Sequence, residues 1–531
     1  MLAYRFRLYP SGNRDYVAAC RILSLGLGRP EVTPVEMGPP RELISVPAST
    51  VVESGSPHPF TGGWFTYLCK KFAIRLEMSN LSILIKNGTI LTMNKKGEVI
   101  KNGALYIEDG LIRDVGLTST VVKEHRADVV INAKGKLVMP GFVNAHSHSV
   151  ASLVRGLGAD LNLFDWMQKL KLPYYTEMNE EEAYWGALLS YLENIKNGCT
   201  CIVDHYYPSR MNRGNIDSLA RAAKKSGIRA AIVRTYHEEG ERIPEVFIES
   251  REEILKEYKR IINEWNGKAN GRIMTWLGPD NLLFSTPETI REVHKLASAN
   301  GVGIHCHLSE TVEMDKMIRK KFGKGSIEVF YDLGVLCPKF QAAHVVIISD
   351  REIKLMARTG ASAVNNIVTN TFLADGVSPV PKMLGAGVNV ALGTDATGTY
   401  GTQDMFLSMK FAAAIHKLSS MDPSAITAKD VLSMATWNGA KALGLQNEMG
   451  SIEQGKKADV ILVDLQNLHF TPFHDLTAGL VYLGRSDDVD TVIVDGKVLM
   501  KGRKIVGIDE EVVKEKAQRA SEDLVNRIAL K

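Results

Sequence analysis

Between residues 138 and 439 eight short apolar segments recur, with stretches of helical periodicity between them. They are VMPGFVNAH, TCIVDHYY, RAAIVRTYH, RIMTWLGPD, GVGIHCHL, FQAAHVVII, ASAVNNI and VNVALGTD. Apolar runs of this length read as strands buried on both faces, as in a parallel sheet. The stretches between them carry legible helix boundaries. In SDREIKLMARTG, Ser349 takes the N-cap, Glu352 the capping-box position and Gly360 the stop. In STPETIREVHKLASANG, Thr286 is the expected N-cap, Pro287 opens the first turn and Gly301 ends it. Strand and helix alternating through eight units predict an α/β chain built on a (β/α)8 TIM barrel over 138–439. A doubly wound sheet is the structural alternative, disfavoured because no Gly-rich phosphate fingerprint follows the first strand.

The flanks have a different texture. Residues 78–137 read as short strands parted by Asn-Gly, Lys-Gly and Asp-Gly turns, and 440–506 repeat the pattern in SIEQGKKADVILVDL and VDTVIVDGKVLMKGRKI. Two such blocks around a long middle predict one small β-sandwich domain built from both ends of the chain, with 507–531 as a C-terminal helix. Residues 1–77 hold eight of the nineteen prolines, prefer Arg to Lys and show no sustained period. They are expected to be a disordered extension or the product of a misassigned start, the native chain then opening near Met78. Arg, Pro and Asp interrupt MLAYRFRLYPSGNRDY before any apolar core forms, which fits a signal peptide poorly.

A net charge of +4, with both signs spread through the sequence, leaves no footprint for nucleic acid or an anionic membrane. No apolar run approaches the ~18 residues of a membrane-spanning helix. The six cysteines, Cys20, Cys69, Cys199, Cys201, Cys306 and Cys337, contain no CxxC pair. Neither a disulfide framework nor a zinc ribbon is indicated, and a reducing cytoplasm is the expected location.

In a barrel of this kind the active site forms where strands end, at the C-terminal face. Polar residues gather there: His146 and His148 end the first strand, His305, His307 and Glu310 the fifth, His344 the sixth and Asp395 the eighth. Strand periodicity puts His146 and His148 on one face, and likewise His305 and His307, with Cys306 turned outward. Buried imidazoles and carboxylates cost free energy unless paired or metal-bound, so packing alone does not explain four such strand ends.

With PGFVNAHSH, HCHLSE, AAHVV and LGTDA in this order, the chain resembles the amidohydrolase superfamily, in its branch of metal-dependent heterocycle deaminases and chlorohydrolases. VRGLGADLNLFDWMQKLKLP and GSIEQGKKADVILVD agree, and the likeness spans about residues 80–510. It implies one divalent metal held by His146, His148, His307 and Asp395, with zinc the first choice and iron the second. It further implies that Asp395 takes a proton from water, that Glu310 protonates a ring nitrogen and that His344 stabilises the addition intermediate. A metal can lower the pKa of water from about 15.7 to about 7, and the hydroxide so made would attack the amine-bearing carbon with release of ammonia. His305 is expected to support the site without ligating. Substrate contacts are expected from Trp166, Tyr175, His205, His237, Asp280 and Asn365.

The substrate side departs from the pattern. Tyr175 stands where deaminases of adenosine derivatives carry a ribose-gripping Glu, and Asp280 follows Gly278-Pro279 where they carry His. Asn365-Asn366-Ile367 replaces their His-Asn-Pro, and Thr399-Tyr400-Gly401 their Ser-Asn-Asn. The expected activity is hydrolytic deamination of an amino-substituted nitrogen heterocycle of purine, pterin or triazine type, a small-molecule partner. The alternatives are displacement of chloride or an alkylamine, and deamination of S-adenosylhomocysteine or methylthioadenosine. Two-metal cyclic-amide hydrolysis is disfavoured because RIMTWLGPD offers no bridging Lys, and a non-enzymatic scaffold because the ligand set is intact. A homo-oligomer is a family-level expectation.

Overall fold

The computed structural model describes residues 81–240, 243–472 and 474–529; the extension expected over 1–77 lies outside the described residues. Alternating apolar residues and turn dipeptides fold the first described stretch into an antiparallel meander of β1 (Ile83–Leu91), β2 (Val99–Glu108) and β3 (Leu111–Leu117). Asp109 and Gly110, with φ of 53° and 76°, close the second hairpin in the left-handed conformation that two-residue turns require. β4 (Val129–Asn132) and β5 (Lys136–Pro140) both run parallel to β1.

The barrel follows without a break in the chain. Its staves are β6 (Phe142–His148), β7 (Cys199–Tyr206), β8 (Arg229–Arg234), β9 (Ile273–Leu277), β10 (Ile304–Leu308), β11 (Phe340–His344) and β12 (Ser362–Asn365). The eighth stave is split into β13 (Asn389–Leu392) and β14 (Asp395–Ala396). β13 pairs with β12 and β14 with β6, all parallel, so the two halves of one strand close the ring. At the break, Gly393 lets the chain pass close to β6: a Cβ there would stand 2.9 Å from both the Cβ and the carbonyl oxygen of His146. Helices pack between the staves with the caps expected of them. Ser349 and Glu352 form a reciprocal capping box, and Thr286 accepts from the Thr289 amide ahead of Pro287. Val143, Cys201, Val203, Ala231, Val233 and Trp276 pack into one cluster with Ala440 and Leu443, leaving the polar strand ends at the opposite mouth.

β15 (Val460–Asp464), β16 (Val489–Val494), β17 (Lys497–Lys501) and β18 (Lys504–Ile505) return to the first sheet, where β15 pairs antiparallel with β5. The resulting mixed sheet encloses its own core, including Ile83, Leu105, Ile112, Val138, Val460 and Ile493, as a small sandwich beside the barrel. The helix Glu510–Ala529 then lies against the barrel helix Glu180–Lys196, where Arg527 bonds Glu182 at 2.6 Å.

A buried ion pair ties sandwich to barrel. Arg229, at the start of β8, donates to both oxygens of Asp459 at 2.8 and 3.0 Å, and each side chain is 1% exposed. The Asp495 amide also donates to Asp459 at 2.8 Å. Removing one partner of such a pair strands the other charge, so Asp459→Ala is expected to cost about 3–5 kcal/mol of unfolding free energy. Denaturant titration checks this; a loss below about 1 kcal/mol would show the pair to be dispensable.

Candidate metal centre and active site

Seven of the polar strand-end residues meet in one buried space. β6 reaches it through a register slip opposite β7 between Asn144 and Ser147, with Ser147 turned away to donate to the Val203 carbonyl. β10 contributes His305 and His307 from its inward face, as alternation requires. β11 departs from alternation. Gln341 faces inward to bond His305, which would leave His344 on the other face, and a left-handed backbone at His344 (φ 75°) turns it back toward the site. Ser309 and Asp395 also carry positive φ, 53° and 62°. Non-glycine residues held there are strained, and such strain gathers at functional sites.

Hydrogen-bond partners fix where each imidazole keeps its proton. His148 Nδ1 faces the His205 carbonyl at 2.7 Å, an acceptor only, so Nδ1 carries the proton and Nε2 is a bare lone pair. His307 Nδ1 faces the Asp280 carboxylate at 2.9 Å and its carbonyl at 3.1 Å, with the same outcome. For His146 a relay does the work: Gln341 Oε1 accepts from His305 Nδ1 at 2.8 Å, leaving His305 Nε2 to accept from His146 Nδ1 at 2.8 Å. His146 Nε2 is then bare too, and it is fully buried without a hydrogen-bond partner.

These three lone pairs converge with the Asp395 carboxylate. Asp395 Oδ1 stands 3.3 Å from His146 Nε2 and 3.2 Å from His148 Nε2, while His148 Nε2 and His307 Nε2 are 3.4 Å apart. A hydrogen bond at that last separation would need a proton on one nitrogen, and both hold theirs on Nδ1. Burial holds His146 down to about 4 and His307 to about 3, so neither gains a second proton at neutral pH. Burial raises Asp395, but the close approach of the His146 and His148 rings outweighs it and holds the carboxyl well below its usual range. Four acceptors facing one point without a proton among them are mutually repulsive unless a cation lies between. Imidazole nitrogens and a carboxylate are a fitting donor set for zinc or another divalent transition metal.

His344 is built the opposite way. Its Nδ1 faces the Asn370 amide nitrogen at 3.1 Å and that of Asn366 at 3.4 Å, so Nδ1 accepts and Nε2 donates. Nε2 lies 3.6 Å from Glu310 Oε1 and 3.9 Å from Asp395 Oδ2, and burial holds the ring near 4, a neutral donor. Burial, reinforced by the nearby Asp395 and opposed by Lys171, pushes Glu310 up to about 8. It therefore keeps its proton at neutral pH.

A cavity opens beside these groups, lined by His148, His307, Glu310, His344 and Asp395 on one side and by Trp166, Met167, Lys171, Tyr207, Asp280 and Leu373 among others. Of the residues expected to contact substrate, Trp166 and Asp280 are on its wall. Tyr175, His205, His237 and Asn365 are not on its wall. Tyr175 packs behind Tyr207, ring centroids 5.0 Å apart, and His205 lies against His307 at 4.3 Å. His237 holds Asp280 at 3.0 Å, and Asn365 accepts from His416 at 3.1 Å. Sequence reasoning missed Gln341 and Asn370, which set tautomers from behind, and also Tyr207 and Lys171. A lysine between Leu170 and Leu172 was the one visible signal for the last.

The model of the Amidohydrolase family matches residues 137–499. The chain is 40% identical over 450 residues to a 5'-deoxyadenosine deaminase of Methanosarcina mazei, covering 84% of this chain and 99% of the relative. It is 36% identical over 447 residues to a 5-methylthioadenosine/S-adenosylhomocysteine deaminase of Thermoanaerobacter pseudethanolicus, covering 84% and 100%. Among solved structures, an adenosine deaminase from Xanthomonas campestris with bound zinc superposes with a TM-score of 0.79 at 26% identity, covering 84% of this chain and 98% of that one.

Groups behind metal-binding imidazoles commonly contribute 10–100-fold to affinity. Gln341→Leu removes the acceptor that starts the His305–His146 relay, so zinc affinity measured by chelator competition is expected to fall about 10–100-fold. Unchanged affinity in a folded variant would mean that the relay does not set the His146 tautomer.

Proposed function

The chain belongs to the amidohydrolase family, and on that premise we propose that it is a metal-dependent hydrolytic deaminase of an amino-substituted nitrogen heterocycle. As a hydrolase of C–N bonds it would exchange a ring amine for oxygen: the amine-bearing carbon gains the oxygen of water and loses ammonia, leaving an oxo ring. The observation that carries this reading is the pairing of two opposite arrangements in one pocket. His146, His148, His307 and Asp395 present lone pairs only, while Glu310 and His344 present protons.

His146, His148, His307 and Asp395 would hold the ion, with zinc the first choice and iron the second. When bound, a divalent cation supplies Lewis-acid activation of water at neutral pH. Asp395, ionised and with Oδ2 turned toward His344, would accept a proton from the attacking water. Glu310 would give its proton to a ring nitrogen, drawing electrons away from the carbon under attack. His344 Nε2–H would bond the oxygen added there, and the neutral imidazole suits that role because it donates without bringing a second charge into the site. Trp166, on the cavity wall, would lie against a flat ring. The relatives named for 5'-deoxyadenosine, methylthioadenosine and S-adenosylhomocysteine support an adenine-type ring as the first to try.

Ammonia release by the zinc-loaded protein across adenosine derivatives, purine bases, pterins and triazines tests the reading. Glu310→Gln is expected to lower kcat by about 10²–10⁴-fold while the ion is retained. Release that persists in this variant would refute the assigned acid, and absence of release from every ring would refute the deaminase. Because the acid form of Glu310 exists below its raised pKa, kcat/KM is expected to fall as pH rises through about 8. A profile still rising at pH 9 would contradict that assignment.

A further inference from the structure

Lys171 takes no part in the chemistry above. It ends a π-helical turn, Met167–Lys171, set inside the helical stretch that runs from Leu163 to Glu177. π turns inside helices are rare and frequently mark functional sites. The side chain is 6% exposed and lines the cavity. Its Nζ lies 3.6 Å from the centroid of the Tyr207 ring and 5.8 Å from that of Trp166. Among the described residues it makes no hydrogen bond and has no carboxylate within 4.0 Å.

The acids closest to it in charge are already committed. Asp280 accepts from His237 and His307, Asp395 faces the imidazole lone pairs, and Glu310 holds its own proton. An aromatic face attracts an ammonium but accepts none of its protons in strong hydrogen bonds. A nearly buried ammonium with three donors and no protein acceptor is costly, and the cost is relieved when a ligand brings an acceptor. Lys171 also lines the cavity with Glu310 and Trp166, the groups assigned to the ring in the proposed reaction, so its partner belongs on the ring and not on a distant tail.

We propose that Lys171 is a specificity-determining residue that donates to an oxygen carried by the substrate ring, so that among aminated heterocycles, adenine-type rings included, the site prefers one bearing an oxo or carboxylate oxygen. This rests on the deaminase reading for the identity of the ring. A site built to satisfy a polar group discriminates strongly against the analogue that lacks it, because its own group is then left unpaired.

The test uses pairs of rings that differ by one ring oxygen: adenosine and its 2-oxo derivative, and adenine and its 2-oxo derivative. The ratio of kcat/KM within each pair is compared in the zinc-loaded wild type, Lys171→Met and Lys171→Arg. The oxygenated member is expected to be favoured by at least about tenfold in the wild type. That preference is expected to fall to about one in Lys171→Met, mainly through KM, and to return in Lys171→Arg. A merely structural lysine would lower both members alike, and a ratio unchanged in Lys171→Met overturns the proposal. Calorimetric binding of each pair to zinc-loaded Glu310→Gln, with and without Lys171→Met, keeps the two readings apart. Preferential binding of the oxygenated ring that is lost with Lys171 supports the proposal even if no ring is turned over, an outcome that would sink the deaminase alone. Equal binding of both members, or of neither, overturns the proposal.

Discussion

Three imidazole lone pairs and a carboxylate face one another across less than 3.5 Å in a space from which water is largely excluded. Without a cation this is a repulsive arrangement, and several otherwise odd features follow from holding it in place. Asp280 behind His307, the His205 carbonyl behind His148 and the Gln341–His305 relay behind His146 all accept, and each drives a proton to the far side of its ring. The split eighth stave brings Asp395 to β6, and Gly393 allows that close approach. The left-handed residues Ser309, His344 and Asp395 accept strain so that their chains turn toward a common point.

The chemistry divides cleanly because two kinds of histidine share the pocket. Those backed by acceptors present lone pairs, whereas His344, backed by the Asn366 and Asn370 amides, presents a proton. Burial keeps His146, His307 and His344 neutral and keeps Glu310 protonated, so the site holds its acid and its donors ready at neutral pH. One fold thereby assembles groups that could hold a cation beside groups that carry protons, as the proposed hydrolysis of a ring amine would require.

The barrel was legible because its signals are local. Eight apolar runs, the Ser349 and Thr286 caps and the strand-end histidines all stand in the sequence, and the structure shows eight staves with those caps. The small sandwich drew on turn dipeptides that recur at both ends of the chain, and β15 indeed pairs with β5. The limits appear where geometry is not periodic. Strict alternation would have turned His344 away from the site, and only its positive φ corrects this. Tyr175 and Asn365 were expected to touch substrate from the spacing of motifs, yet Tyr207 and His416 lie on them and take up those faces. Lys171 reaches the cavity through a π turn, and no periodicity of 3.6 residues signals a π turn. Gln341 and Asn370 act through other side chains, so their roles exist only once the fold has brought those partners near.

The central claim is that this point of convergence is a divalent-cation site made of nitrogen and oxygen alone. X-ray absorption at the zinc edge, on protein loaded with zinc and washed free of excess, tests it most directly. The account expects one ion per chain with a shell of nitrogen and oxygen at about 2.0–2.2 Å and no sulfur. A shell containing sulfur at about 2.3 Å, or the same spectrum from a His148→Ala variant, would place the ion elsewhere and contradict it.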